Sequence, residues 1–206
     1  MKCRLCLLLA VVVCGTCSLQ AQSADGELVN VRHLVPGIVL DLKYNTVDNF
    51  CDQKLYSTDE CLLLHTAVRR LIVVQDSLRA RGLGLKIYDG YRPRAVQYLM
   101  FEIYPNPAYV ADPATGSNHN RGGAVDVSLV DQASGQELHM PTEFDYFGPE
   151  AKHGWTLGLS AEQVANRELL LDMMTRVGGF SPYTDEWWHY TIPAGSSYPL
   201  LDFQMK

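Results

Sequence analysis

No run of basic residues occurs anywhere in this chain of 206 residues, and acidic side chains outnumber basic ones by 23 to 17. That balance argues against nucleic acid, or an anionic membrane surface, as the partner the chain is built for. There is no internal repeat, no low-complexity tract and no Pro- or Ser-rich linker, so the length reads as one domain. There is no G-x-S-x-G turn, the usual sequence mark of a nucleophile elbow, which weakens any hydrolase built on Ser117 as nucleophile. Cysteine is scarce once the N-terminus is set aside. Of the six cysteines only Cys51 and Cys61 lie beyond residue 24. The one continuous apolar run, Leu5 to Val13, is too short to span a bilayer.

That run has a context of its own. Lys2 and Arg4 precede it, and Gly15, Thr16, Ser18, Ala21 and Ser23 follow. Basic, apolar, then small and polar is the order of a secretory signal peptide, so residues 1–24 are expected to be a leader and 25–206 the working domain. The chain is then exported, periplasmic or secreted. A lipid anchor on Cys14 or Cys17 would require a small residue just before the cysteine, and Val13 and Thr16 stand there instead. Without the leader the net charge moves from −6 to −8, because the leader carries two basic residues and no acidic one. In an oxidising compartment Cys51 and Cys61 could form a disulfide or remain two buried thiols.

With 47% hydrophobic and 19% charged residues, the domain can bury a substantial core. The periodicities mix strand and helix along the chain. Ile38–Tyr44 alternates as a strand. Ser57-Thr58-Asp59-Glu60 has the form of a capping box before a helix carrying Leu62, Leu63, Ala67, Leu71 and Val74, stopped by Gly82 and Gly84. His65 inside it reads as an ordinary helix residue. Leu85–Asp89 is a short strand, and Pro93 suits the first turn of a helix running to about Tyr104. Arg92 thus falls at a strand-to-helix corner, where side chains often point into sites. Ala124–Val130 is a strand with Val125, Val127 and Leu129 on one face and Asp126 on the other. Ser160-Ala161-Glu162-Gln163 caps another helix, ended by Gly178-Gly179. Glu186–Ile192 reads as a last strand.

The chemistry concentrates in two places. Ser117-Asn118-His119-Asn120-Arg121-Gly122-Gly123-Ala124-Val125-Asp126 sets an imidazole and a carboxylate either side of a Gly-Gly turn, and Glu186-Trp187-Trp188-His189 adds another of each. A carboxylate on a strand as apolar as this one is costly unless paired or metal-bound. His119, Asp126 and His189 are ligand types suited to Zn²⁺, one ion per chain, and three protein ligands leave a fourth position for water. Glu186 would be the general base, provided it lies on a turn, a bulge or an irregular start of the strand, since positions three apart in a strand face opposite ways. Arg92 could stabilise an oxyanion, and Asp145 could bind an ammonium group. The spacing by itself leaves open three structural residues. A facial-triad iron site would more commonly use His-x-Asp.

Ser117-x-His119-x-x-Gly122-x-Ala124-Val125-Asp126 followed by Glu186-Trp187-Trp188-His189 resembles the D-alanyl-D-alanine dipeptidases of the vancomycin-resistance type. Tyr44-x-Thr46-x-Asp48-Asn49-Phe50, Tyr88-Asp89-Gly90-Tyr91-Arg92-Pro93 and Glu102-Ile103-Tyr104-Pro105-Asn106-Pro107 are similar to the same family, so the resemblance runs over nearly all of residues 30–192. It implies a small α+β fold, a mixed or antiparallel sheet with flanking helices, of the kind shared with zinc D,D-carboxypeptidases and the hedgehog signalling domain. It implies His119, Asp126 and His189 as zinc ligands, Glu186 as base and Arg92 as transition-state stabiliser. Asp145, Ser117 and Tyr44 would line the pocket for a small D-configured dipeptide. Where the family often has Met-Gly-Thr before that aspartate, this chain has Met140-Pro141-Thr142. The same metal site could instead serve a peptidoglycan D,D- or L,D-carboxypeptidase or endopeptidase, or persist in a non-enzymatic zinc-stabilised binding domain.

Overall fold

The computed structural model describes residues 25–205. The expected leader, with Cys14 and Cys17, lies outside the described residues. Within them a five-stranded mixed sheet forms the frame. Its strands are β2 (Val39–Leu40), β4 (Leu83–Asp89), β5 (Ala124–Asp131), β6 (Ser181–Pro182) and β7 (His189–Thr191), in the spatial order β2-β4-β5-β7-β6. Only the β2–β4 pair is parallel. A separate antiparallel ribbon joins β1 (Leu28–Asn30) to β3 (Leu62–Leu64). The helices are α1 (Val31–Leu34), α2 (His65–Arg79), α3 (Arg94–Ile103) and α4 (Ala161–Asp172).

The sheet is centred on β4 and β5 because their sequences tolerate burial on both faces. All of β5 except its last residue is buried, as expected for a strand covered on both sides. Val125, Val127 and Leu129 join Leu85 and Ile87 in the main core. Leu71, Val74 and Leu78 of α2 close it, as do Leu170 of α4 and Met173 and Met174 of the π-helical turn that continues α4 (Met173–Val177). Truncating one such Leu to Ala would cost about 2–5 kcal/mol. A second, smaller cluster gathers Tyr44, Cys51, Tyr56, Val96, Met100 and Val110.

Register carries this scaffold to the chemistry. The β4–β5 pairing shifts between Ile87 and Asp89, so that Asp89 stands opposite Asp126, and Asp126 stands opposite His189 on β7. A bulge of this kind re-aims a side chain at the end of a strand. It sets three ionisable residues side by side across three strands.

Three local expectations change, and the alternative left open at Cys51 and Cys61 is decided. Ile38–Tyr44 pairs only at Val39–Leu40 and then tightens into a 3₁₀ turn, Lys43–Asn45. Ser57–Glu60 caps no helix. Thr58 Oγ1 accepts the Glu60 N–H in a local turn, while Leu62–Leu64 is drawn into β3 by pairing with β1, so α2 starts only at His65. The last strand is short, with Glu186–Trp188 in the turn before it. Cys51 and Cys61 are not bridged: both are buried free thiols, Cys61 in the main core and Cys51 in the smaller cluster. Burial raises both, Cys51 to about 12, which leaves them unreactive at neutral pH.

Candidate metal centre and substrate cleft

His119 opens a 3₁₀ turn, His119–Arg121, that ends on Gly122 at φ +69°. A side chain there would be strained by the backbone and would also meet Leu28 Cδ2 at 2.5 Å. The Gly-Gly turn thus lets the chain reverse tightly from His119 into β5, and it brings His119 beside Asp126. His119 Nε2 lies 3.4 Å from Asp126 Oδ2 and 3.2 Å from His189 Nδ1, and His189 Nδ1 lies 3.0 Å from Asp126 Oδ1. One ligand atom from each residue falls within 4.8 Å of the other two.

Those atoms fit a divalent cation of the zinc type. His119 Nδ1 donates to the Gly90 carbonyl at 2.7 Å, which leaves the Nε2 lone pair free to face the centre. On His189 the outward nitrogen, Nε2, is 3.3 Å from Thr191 Oγ1, so Nδ1 is the inward one. Such outer hydrogen bonds fix tautomer and ring orientation in metal sites. The electrostatics agree. Burial opposes charge on all three groups. Even so, the two imidazoles hold the Asp126 carboxyl well below the usual carboxylate range, and Asp126 in turn raises His119, while at His189 burial wins and lowers it. One carboxylate between two imidazoles, with His119 and Asp126 buried and His189 partly so, suits a bound cation.

Around the three residues a cavity of about 280 Å³ brings together Tyr44, Arg92, Ser117, Asp145 and Glu186, with an apolar and aromatic wall that includes Phe50, Val110 and Phe147. All eight functional residues singled out in the sequence therefore meet at one site. Glu186 projects from a turn, its N–H on the Tyr183 carbonyl at 3.3 Å and its carbonyl accepting the His189 N–H at 3.3 Å. The turn resolves the spacing problem: Glu186 Oε2 comes within 3.9 Å of His189 Nδ1. Trp187 and Trp188, fully buried and packed edge to face, hold that turn in the core. Burial, then the carboxylates of Asp126 and Asp145, push the Glu186 carboxyl well up.

Asp145 sits at φ +61° and accepts the Tyr44 hydroxyl at 3.0 and 3.1 Å. Burial and the Asp126 charge raise it to about 8. Its backbone is strained, and no salt bridge joins its carboxyl to a cation among the described residues. Proline at 141 does not prevent it from reaching the cleft. Ser117 Oγ accepts the His119 N–H at 3.2 Å, so that pocket residue also braces the turn.

Arg92 is held on three sides. Asp89 takes Nη2 at 2.7 Å and Nε at 3.1 Å, Gln97 Oε1 takes Nη1 at 2.9 Å, and the Tyr44 ring lies 5.0 Å from the guanidinium. Asp89, Tyr56 and Gln97 carry no assigned role in the sequence reading. Asp89 was accessible to the argument used for Asp126, a carboxylate on an apolar strand. Tyr56, whose hydroxyl donates to Asp89 Oδ1, lies in a loop with no local signal.

Residues 24–205 match the model of the M15 peptidase family described as D-ala-D-ala dipeptidase. A D-alanyl-D-alanine dipeptidase of Escherichia coli K12 is 38% identical over 180 residues, covering 87% of this chain and 92% of the relative. One from Enterococcus faecium is 31% identical over 199 residues, covering 84% and 95%. The solved structure of the LdcB LD-carboxypeptidase aligns with a TM-score of 0.42 at 20% identity, over 69% of this chain and 67% of that one.

Proposed function

Because the chain belongs to the D-ala-D-ala dipeptidase family, we propose that it is an exported zinc enzyme cleaving D-Ala-D-Ala, or a similar D-configured dipeptide, with Glu186 as general base. The observation that carries this is the convergence of Glu186, Arg92 and Asp145 on the cavity that also holds His119, Asp126 and His189. A purely structural zinc site needs neither a spare base nor a buried arginine. Zinc held by the three ligands would supply Lewis acidity, polarising the scissile carbonyl and making a water acidic at neutral pH.

The chain's own residues do the rest. Glu186 takes a proton from the attacking water and passes it to the leaving amine nitrogen as the C–N bond breaks, so one water and one dipeptide become two amino acids. Arg92, oriented by Asp89 and Gln97, faces the negative charge that develops on the carbonyl oxygen. Asp145 and Tyr44 receive the substrate ammonium, which supplies the cation the buried carboxylate is missing. Ser117 lines the same wall. A free amine is therefore part of the recognised substrate, which favours a dipeptide over a long peptidoglycan stem. Residues 1–24 act as the export leader in this reading, and the N-terminus of the secreted protein checks it.

The test is amine release from D-Ala-D-Ala by the purified chain, with and without a chelator. Release that stops on chelation and returns with zinc is expected. Glu186→Ala should lose at least about 10²-fold in kcat while still binding one zinc. Full activity in that variant would overturn the mechanism, and cleavage of N-acetyl-D-Ala-D-Ala as fast as the free dipeptide would overturn the dipeptidase assignment.

A further inference from the structure

We propose that the C-terminal strap, residues 198–203, is a positioning element for Arg92, acting through Asp202 and through Asn120; the proposal rests on the hydrolytic reading above. Its starting point is a defect in α3. Pro93 occupies the N-cap position and no side chain of its own segment caps the helix. The first N–H groups of a helix need acceptors from elsewhere. Here they come from 107 residues away: Asp202 Oδ1 accepts the Ala95 N–H at 2.8 Å, and the Leu201 carbonyl accepts the Arg94 N–H at 3.3 Å. A carboxylate at that end also complements the helix dipole. Asp202 Oδ1 takes one further donor, Gln204 Nε2 at 2.9 Å.

The same strap grips the His119 turn. The Leu201 N–H donates to the Asn120 carbonyl at 2.8 Å, and Arg121 donates to the Tyr198 carbonyl. The Leu200 side chain fills the space beside Gly116, which is at φ +75° and whose Cβ would lie 2.3 Å from Leu200 Cδ2. Asn120 then ties the turn to the Arg92 corner. It is completely buried. Its Nδ2 donates to the Arg92 carbonyl at 2.9 Å, and its Oδ1 accepts the Ser117 N–H at 2.8 Å. The Arg92 N–H itself donates to the His119 carbonyl at 3.1 Å. Tyr91 completes the clasp, its hydroxyl on the Phe203 carbonyl at 3.0 Å.

Both peptide groups of Arg92 are therefore bonded to the turn that carries His119, and the strap holds that turn and the following helix at once. The guanidinium is positioned from its tip by Asp89 and Gln97, and from its backbone by Asn120 and the strap. A misplacement of about 1 Å in a catalytic group can cost on the order of 10²-fold in rate, so a contact that never touches substrate can still control kcat.

Asp202 is exposed, so replacing it removes the cap without hollowing the core. In the full-length zinc enzyme, Asp202→Ala should lower kcat for D-Ala-D-Ala roughly fivefold, the rate equivalent of a lost N-cap. KM should stay within about twofold and zinc content should be unchanged. Asp202→Asn keeps an oxygen acceptor at the same place and should restore kcat. A merely stabilising tail would give a lower melting temperature with kcat intact, and that result, or equal kcat values in the Ala and Asn variants, would overturn the proposal. Amide hydrogen exchange separates its failure from failure of the dipeptidase reading, because it needs no turnover. Asp202→Ala should speed exchange in residues 91–97 and 117–121. Faster exchange confined to residues 198–205 would mean that the strap positions nothing.

Discussion

Arg92 illustrates how a single side chain acquires a role from its neighbours. It is buried together with Asp89, whose carboxylate meets its guanidinium at 2.7 Å. Its pKa is lifted above an already high value: burial is the largest single influence and acts downward, and Asp89, Tyr44, Asp126 and Tyr56 together outweigh it. Lysine would keep the charge but lose the planar fork that reaches Asp89 and Gln97 simultaneously. Arg92→Lys is therefore expected to cut kcat by about 10²-fold, as for loss of an oxyanion donor, with a small effect on KM. Steady-state kinetics on D-Ala-D-Ala checks this, and a change confined to KM would assign Arg92 to ground-state binding instead. The position of Arg92 at a strand-to-helix corner is legible in Gly90-Tyr91-Arg92-Pro93. The partners that aim it are not, because Tyr56, Gln97 and Asn120 are each ordinary polar residues until the chain folds.

At the scale of elements, two sequences of the same form have opposite outcomes. Ser160 caps α4 as a full capping box: its side chain accepts the Gln163 N–H at 3.1 Å, and Gln163 Oε1 accepts the Ser160 N–H at 2.9 Å. Ser160→Ala should destabilise the protein by about 1 kcal/mol, read as a lower melting temperature with activity per folded molecule unchanged. No measurable shift would mean that Gln163, which also donates to the Met140 carbonyl at 3.0 Å, carries the helix start alone. Ser57–Glu60 matches the same pattern yet caps nothing. The three leucines after it pair with Leu28–Asn30, and a sheet partner more than 30 residues away cannot be read from a local window. Glu186–His189 is the third case. Trp187 and Trp188 favour a strand, but burial of both indoles bends the segment into a turn that brings Glu186 within 3.9 Å of His189.

For the molecule as a whole, stability in acid should hinge partly on a residue outside the cleft. Neither ring nitrogen of His153 is hydrogen-bonded to any described residue, and its ring packs 5.9 Å from that of Tyr190. Burial, with the nearby Arg167 charge second, lowers it to about 4. Between that value and the ordinary 6.5 the unfolded chain binds a proton that the folded chain does not, so this contribution is present above pH 6.5 and is lost as pH falls toward 4. The loss is on the order of 3 kcal/mol. Denaturant unfolding of the wild type and of His153→Phe at pH 7 and pH 4 checks it: the variant should lose less stability, and parallel losses would refute the assignment. Set against this, much about the protein was determined by the sequence alone. The candidate ligand types, the candidate base, the Gly-Gly turn and the apolar strand around Asp126 are local, because chemistry and backbone freedom belong to individual residues. Individual strands and helices are readable from periodicity in the same way. Only the tertiary structure decided the row Asp89, Asp126 and His189, the free state of Cys51 and Cys61, and the strap behind Arg92. Each depends on register or on contacts between segments far apart in the chain, and those energies exist only once the chain has closed on itself.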